Sequence, residues 1–229
     1  MFCHRCGAQV GSGVRFCPKC GEFLPAPAGT AGSASAWTLP GQVQAAPGRW
    51  LAEGWALVTA DLGSYILISL LFFFLGSVPL IQGALIAGFH IYTMKKIMGR
   101  TAEIGDFFKG FRFFLPALVA SLLIGIFTFL GTLALIIPGL VVAAMYKFTY
   151  LFIVDKGLDF WPAMQASHAV VRKDYVGFTL FLVVAFLVNV LGFLCLIVGL
   201  LVTVPMTFAA VTVAYKEIVG FDRRKLDTL

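Results

Sequence analysis

FFLPALVASLLIGIFTFLGTLALIIPGLVVAAMY, Phe113 to Tyr146, runs for 34 residues without one Asp, Glu, Lys or Arg. A helix crosses the hydrocarbon core of a bilayer in about 20 residues, so the stretch is too long for one crossing. Its interruption is IIPG, Ile136 to Gly139. Proline lacks the N–H that a helix interior needs, and glycine lets the backbone turn. The pattern predicts a helical hairpin folding at Pro138–Gly139. Two more charge-free stretches share the design: Leu62–Met94, interrupted at Gly76, Pro79 and Gly83, and Tyr175–Tyr215, interrupted at Gly192, Gly199 and Pro205. The expected fold is an all-α polytopic membrane protein. It has about six transmembrane helices in three hairpins, with turns marked by Pro79, Pro138, Gly139 and Pro205.

Composition agrees. Hydrophobic residues make up 60% of the chain, charged residues 12%, and the mean hydropathy is +0.94. A soluble domain carries about 25% charged residues. The net charge of +6 does not require a nucleic-acid partner, because Lys and Arg collect on the cytoplasmic side of membrane proteins. The first 24 residues contain no apolar segment of the kind a cleavable signal peptide needs.

Those residues, MFCHRCGAQVGSGVRFCPKCGEFL, hold four of the five cysteines, in CHRCG and CPKCG. Cys3, Cys6, Cys17 and Cys20 form two Cys-x-x-Cys knuckles whose sulfurs can close a tetrahedron around one ion. This is the structural zinc pattern, with no open position for catalysis. Iron and a redox dithiol share the thiolate chemistry and remain alternatives. So short a module has almost no core, and its metal would supply much of its folding free energy. Reduced thiolates place the ribbon in the cytosol. Residues 25–48 are rich in Pro, Ala, Gly and Ser and carry no charge, which reads as a flexible tether. The helical membrane domain follows at 49–220, then a tail at 221–229.

Each hairpin is preceded by an amphipathic segment at helical spacing. The apolar positions are Leu51, Trp55, Val58 and Leu62 in the first, and Ile104, Phe107, Phe108 and Phe111 in the second. In the third they are Phe160, Ala163, Met164 and Val170 or Val171. These segments are expected to be interfacial helices. Short echoes bear on a threefold repeat: DLGSYILI at Asp61 beside DYVGFTLF at Asp174, and the endings KKIMG, IVDKG and KEIVG. Convergent use of the same membrane grammar would produce similar echoes. Six crossings put residues 1–61, 95–112, 155–174 and 216–229 on the cytoplasmic side. Of 17 Lys and Arg, all but Lys147 fall in those segments, a clean positive-inside distribution.

Lys147 is the one formal charge inside a span, and such residues default to a functional hypothesis. His90 lies at comparable depth, eleven residues past Pro79. With Gln82 or Asn189 joining, a shared polar site would bind an anionic headgroup or a transported solute. The plainer alternative is that Lys147 snorkels to the interface and His90 satisfies a nearby carbonyl. No catalytic constellation is present: His4, His90 and His168 lie in three different environments, and the chain is not expected to be an enzyme.

The N-terminal residues resemble the short zinc ribbons of many bacterial membrane proteins. Ile136 to Phe178 resembles the signature region of a broad group of bacterial membrane domains. These include the membrane domain of glycerophosphoryl diester phosphodiesterases and the uncharacterised YciC-like family. The matching features are IPG at Ile137–Gly139, Asp-x-Gly at Asp155–Gly157, and the helix bearing Trp161, Ala163 and Ser167. The likeness covers roughly Trp50 to Gly220 and implies a fold. It does not carry phosphodiesterase activity, because the soluble catalytic barrel of that family has no counterpart here. The expectation is a bacterial inner-membrane protein with both termini cytosolic. One structural zinc and a bilayer-embedded scaffold, interaction or lipid-organising domain complete it, with a cytosolic protein partner for the ribbon. A small transporter or channel using His90 and Lys147 is the alternative. Homo-oligomerisation is left open, and Arg5, Arg15 and Lys19 are a thin footprint for nucleic acid.

Overall fold

A computed structural model describes residues 41–195 and 198–222. The four ribbon cysteines therefore lie outside the described residues, as do most of the tether and tail. What is described is helical throughout. The elements are α1 (Pro47–Ala60), α2 (Leu62–Leu75), α3 (Pro79–Ile97), α4 (Ile104–Phe108), α5 (Phe114–Ala134), α6 (Ile136–Met145) and α7 (Thr149–Leu151). After them come α8 (Phe160–Val171), α9 (Tyr175–Leu194) and α10 (Leu200–Ile218). A 3-10 turn, Lys109–Phe113, joins α4 to α5, and a π-helical turn, Phe152–Lys156, follows α7.

The order repeats: a leading helix, then a pair of helical segments that run one way and return. Each return ends at a glycine in the left-handed region, Gly99 (φ 70°), Gly157 (φ 65°) and Gly220 (φ 78°), the positive-φ glycines among the described residues. These are the terminal glycines of KKIMG, IVDKG and KEIVG. At Gly99 and Gly157 the next N–H reaches back to close the helix, Arg100 to the Lys95 carbonyl at 3.0 Å and Leu158 to the Phe152 carbonyl at 3.4 Å. That is the glycine-capped ending which only an achiral residue adopts without strain. The Asp echoes are also structural. Asp61 and Asp174 precede α2 and α9 respectively; Ser64 donates to Asp61 at 2.9 Å, and Gly177 N–H donates to Asp174 at 2.9 Å.

Four helical segments among the described residues are long and apolar enough to cross a membrane: Ile104–Ala134, Ile137–Lys156, Tyr175–Leu194 and Leu200–Ile218. The pair α1 and α2 also passes on composition but bends by 101° at Asp61. The sharp bend fits a surface helix leading into a crossing better than one continuous span. α3 does not qualify. It carries Gln82, His90, Lys95 and Lys96, and it packs against α2, α4, α5 and α10. A helix wrapped in protein need not be apolar on every face.

Several turn assignments shift. The second hairpin breaks at Leu135, and Pro138 sits in the first turn of α6. There its missing N–H would have had no intrahelical partner anyway. Gly139 packs back on Thr132 of α5. Pro205 is not a turn residue: it is buried inside α10, and the third hairpin reverses between the end of α9 at Leu194 and the start of α10 at Leu200. Neighbouring helices compensate for such a proline in membrane proteins, so it reads as a breaker in sequence without being one in the fold. The amphipathic faces also rotate. In α1 the buried residues are Trp50, Leu51, Gly54 and Val58, while Trp55 points outward. In α4 only Phe107 of the expected face is buried, and Ile104, Phe108 and Phe111 are exposed. Finally, α1 begins at Pro47, within the stretch that composition assigns to the tether.

The core has two parts. Trp50 anchors the larger, stacked on Phe178 with centroids 5.9 Å apart and edge-on to Phe181 at 5.2 Å. Its indole N–H donates to Glu217 at 2.7 Å, fastening α1 to the end of α10. Phe89 centres the smaller, stacked on Phe208 at 4.6 Å. At Gly88 the chains come so close that a Cβ would run into the Phe107 carbonyl.

Candidate functional site

Charges gather at one end of the bundle. Lys96 meets Asp61 at 2.5 Å, and Tyr92 donates to the same carboxylate at 3.1 Å. Lys95 and Lys109 both reach Asp106 at 2.7 Å, whose other oxygen caps the Glu103 N–H. Arg49 pairs with Glu217. These pairs lie where the apolar stretches end. Burial opposes ionisation of Asp61, but hydrogen bonds from Lys96 and Ser64, with the Lys96 charge, outweigh it and hold the carboxyl below its ordinary value. Asp106 follows the same logic, burial opposing and Lys109, Lys95 and the Glu103 N–H prevailing.

Asp155 completes this end and is wholly buried. It accepts from Tyr215 at 2.9 Å and from the Asp222 N–H at 2.7 Å, and pairs with Lys156 at 2.8 Å. Lys156 also donates to the Gly220 carbonyl at 3.1 Å. The Asp-x-Gly motif thus ties the end of the second hairpin to the end of the third.

Deeper in the bundle is a cavity of about 270 Å³. His90 (α3), Tyr146 and Lys147 (between α6 and α7), Tyr150 (α7) and Thr207 (α10) supply its polar groups. Ile86, Ile124, Leu182 and Phe208 form apolar wall. Every hairpin contributes, so folding assembles the site. His90 and Lys147 share it. Asn189 is one step away, its amide donating to Thr207 at 3.3 Å and to the Ala185 carbonyl at 2.8 Å. Gln82 is exposed near the start of α3 and does not line the cavity.

The return helix of the second hairpin is broken at this cavity, a feature not visible in the sequence. Residues 146–148 form a turn between α6 and α7. Ser167 of α8 closes the gap: its hydroxyl donates to the Met145 carbonyl at 2.7 Å and accepts the Phe148 N–H at 3.1 Å. Ser167 therefore repairs a helix. No proline or glycine marks the break, and Lys147 itself is the only hint. Across the cavity, His90 Nδ1 lies 2.9 Å from the Thr212 hydroxyl, which donates to the Phe208 carbonyl at 2.9 Å. While the hydroxyl proton serves that carbonyl, Nδ1 is the donor to Thr212 and Nε2 is left as an acceptor.

Among the described residues no group of three or more His, Cys, Asp or Glu could hold a metal. The metal-ligand pattern lies at the N-terminus, where the zinc-ribbon domain family matches residues 2–24. The donor set there, four thiolates in two Cys-x-x-Cys knuckles, suits a closed tetrahedral zinc. Comparisons with curated proteins and with solved structures return no match, so the likeness over residues 50–220 rests on the motifs quoted above. The chain joins a zinc-ribbon domain to a set of apolar helices suited to a membrane.

Proposed function

We propose that this chain is an integral cytoplasmic-membrane protein that displays a zinc ribbon to the cytosol and recruits or organises a protein partner there. Six crossings follow if α2 and α3 span together with the four qualifying segments. At 14 residues, α2 is about 21 Å long at 1.5 Å per residue, so the bilayer thins around it. One observation carries the reading: the ion pairs Lys96–Asp61 and Lys156–Asp155 lie beside the glycine-ended returns, Lys156 bonding Gly220 of the next return, while the sequence at 76–78, 135 and 195–199 holds no charge. Positive-inside sorting puts that face, and the ribbon with it, in the cytosol. Zinc, held by Cys3, Cys6, Cys17 and Cys20, supplies fold and no reaction.

Affinity purification of the full chain, compared with a Cys17→Ser/Cys20→Ser variant, tests the recruiting role. The variant should stay in the membrane and lose its co-purifying cytosolic protein. An identical set of proteins from both would refute recruitment. Transport is a second reading, favoured by the cavity lying between all three hairpins.

A further inference from the structure

We propose that the cavity at His90 and Lys147 binds one small oxyanion, a carboxylate or a phosphate. The Lys147 ammonium grips it, and the apolar wall at Ile86, Ile124 and Leu182 holds the rest of the ligand. This rests on residues 41–222 being membrane-embedded, and on neither recruitment nor transport.

Lys147 has no ion-pair partner among the described residues. The next carboxylate along its chain, Asp155, is already engaged by Lys156, Tyr215 and a backbone N–H. A cation in an apolar wall is costly without a counter-charge, so Lys147 carries its charge in the cavity when an anion from outside the chain joins it. Snorkelling does not answer the cost. Lys147 stands eleven residues from Ile136 and nine from Lys156, roughly 16 and 14 Å at 1.5 Å per residue, farther than a lysine stem reaches.

The broken helix points the same way. Irregular backbone at membrane depth survives where protein buries it or where it lines a cavity, and broken helices mark the binding sites of many transport folds. Here Ser167 satisfies both backbone groups around the break, which is therefore a built feature. The Nε2 acceptor of His90 suits a ligand that also carries an O–H, such as a monoprotonated phosphate. The volume of about 270 Å³ admits a small acid or a headgroup.

Full-length protein in phosphatidylcholine nanodiscs, titrated with inorganic phosphate, hexanoate or hexyl phosphate and read by native mass spectrometry, tests this. A parallel set of nanodiscs contains phosphatidylglycerol. The expected result is a single oxyanion adduct, weakened roughly ten- to hundredfold by Lys147→Met, the loss of one charge-assisted contact. The exposed control Lys173→Met should bind like the parent. Adducts in phosphatidylcholine alone identify a soluble anion, and adducts that need phosphatidylglycerol identify a lipid headgroup. Replacing an unpaired, half-buried cation with an apolar side chain of similar length is not expected to unfold the domain. Ala143→Phe, which fills the cavity while keeping Lys147, gives an independent arm and should also abolish the adduct. No adduct with any probe, or undiminished binding in either cavity variant, overturns the proposal.

Discussion

Replacing Asp155 with alanine should remove about 4 kcal/mol of stability from the membrane domain. The carboxylate is fully buried and serves three donors: Lys156, the Tyr215 hydroxyl and the Asp222 N–H. Breaking a buried ion pair by removing one partner costs about 3–5 kcal/mol, and each orphaned donor adds about 1–3 kcal/mol. The penalties overlap, because Lys156 keeps the Gly220 carbonyl at 3.1 Å and the freed tail can rehydrate the Asp222 N–H. A total near the middle of the ion-pair range follows. Equilibrium unfolding in mixed micelles with increasing dodecyl sulfate measures it, with Trp50, buried against Phe178 and Phe181, as reporter. Tyr215→Phe should cost about 1 kcal/mol, since the carboxylate keeps its other partners. Adding Lys156→Met to the Asp155→Ala change should recover part of the loss. An Asp155→Ala effect below about 1 kcal/mol, the scale of an exposed pair, would refute the reasoning.

Gly88→Ala should destabilise by about 1–3 kcal/mol, because the added methyl meets the Phe107 carbonyl and the backbones must separate; the same unfolding assay reads it. Acid should weaken the charged face. Asp61 and Asp106 are held below their ordinary values when folded, so their contribution is complete above about pH 4 and fades as pH falls through the folded values. Asp106→Asn should flatten that part of a stability-versus-pH profile. Zinc analysis of the purified chain should find one ion, lost in a Cys6→Ser/Cys20→Ser variant, with unfolding of the membrane domain unchanged.

Hairpins, glycine-ended returns and the clustering of charge were legible because they depend on residue type alone. Charge-free length and Lys and Arg position need no knowledge of neighbours. Turn positions were less legible: Pro138 and Pro205 both look like breakers, yet one opens a helix and the other lies inside one. Only packing decides between those roles. His90 and Lys147 could be named from their polarity and similar depth, and the fold brings both to one cavity. Tyr146, Tyr150 and Thr207 gave no signal, since aromatic and threonine residues abound in these helices. Gln82 matched on type but lies in the first turn of α3, eight residues and roughly 12 Å along the helix from His90, where it is exposed. The break at residues 146–148 was hidden because a serine on another helix, Ser167, makes it tolerable.

Orientation is the claim on which the rest depends, and Cys195 is a native probe of it. It is the free cysteine among the described residues, exposed at the end of α9. In intact cells a membrane-impermeant maleimide should label the protein at Cys195, and Cys195→Ser should abolish the signal. A cysteine introduced at Asp159, in that Cys195→Ser background, should react only after permeabilisation. Labelling at Asp159 in intact cells, with Cys195 reached only after permeabilisation, would invert the topology and place the charged face and the ribbon outside.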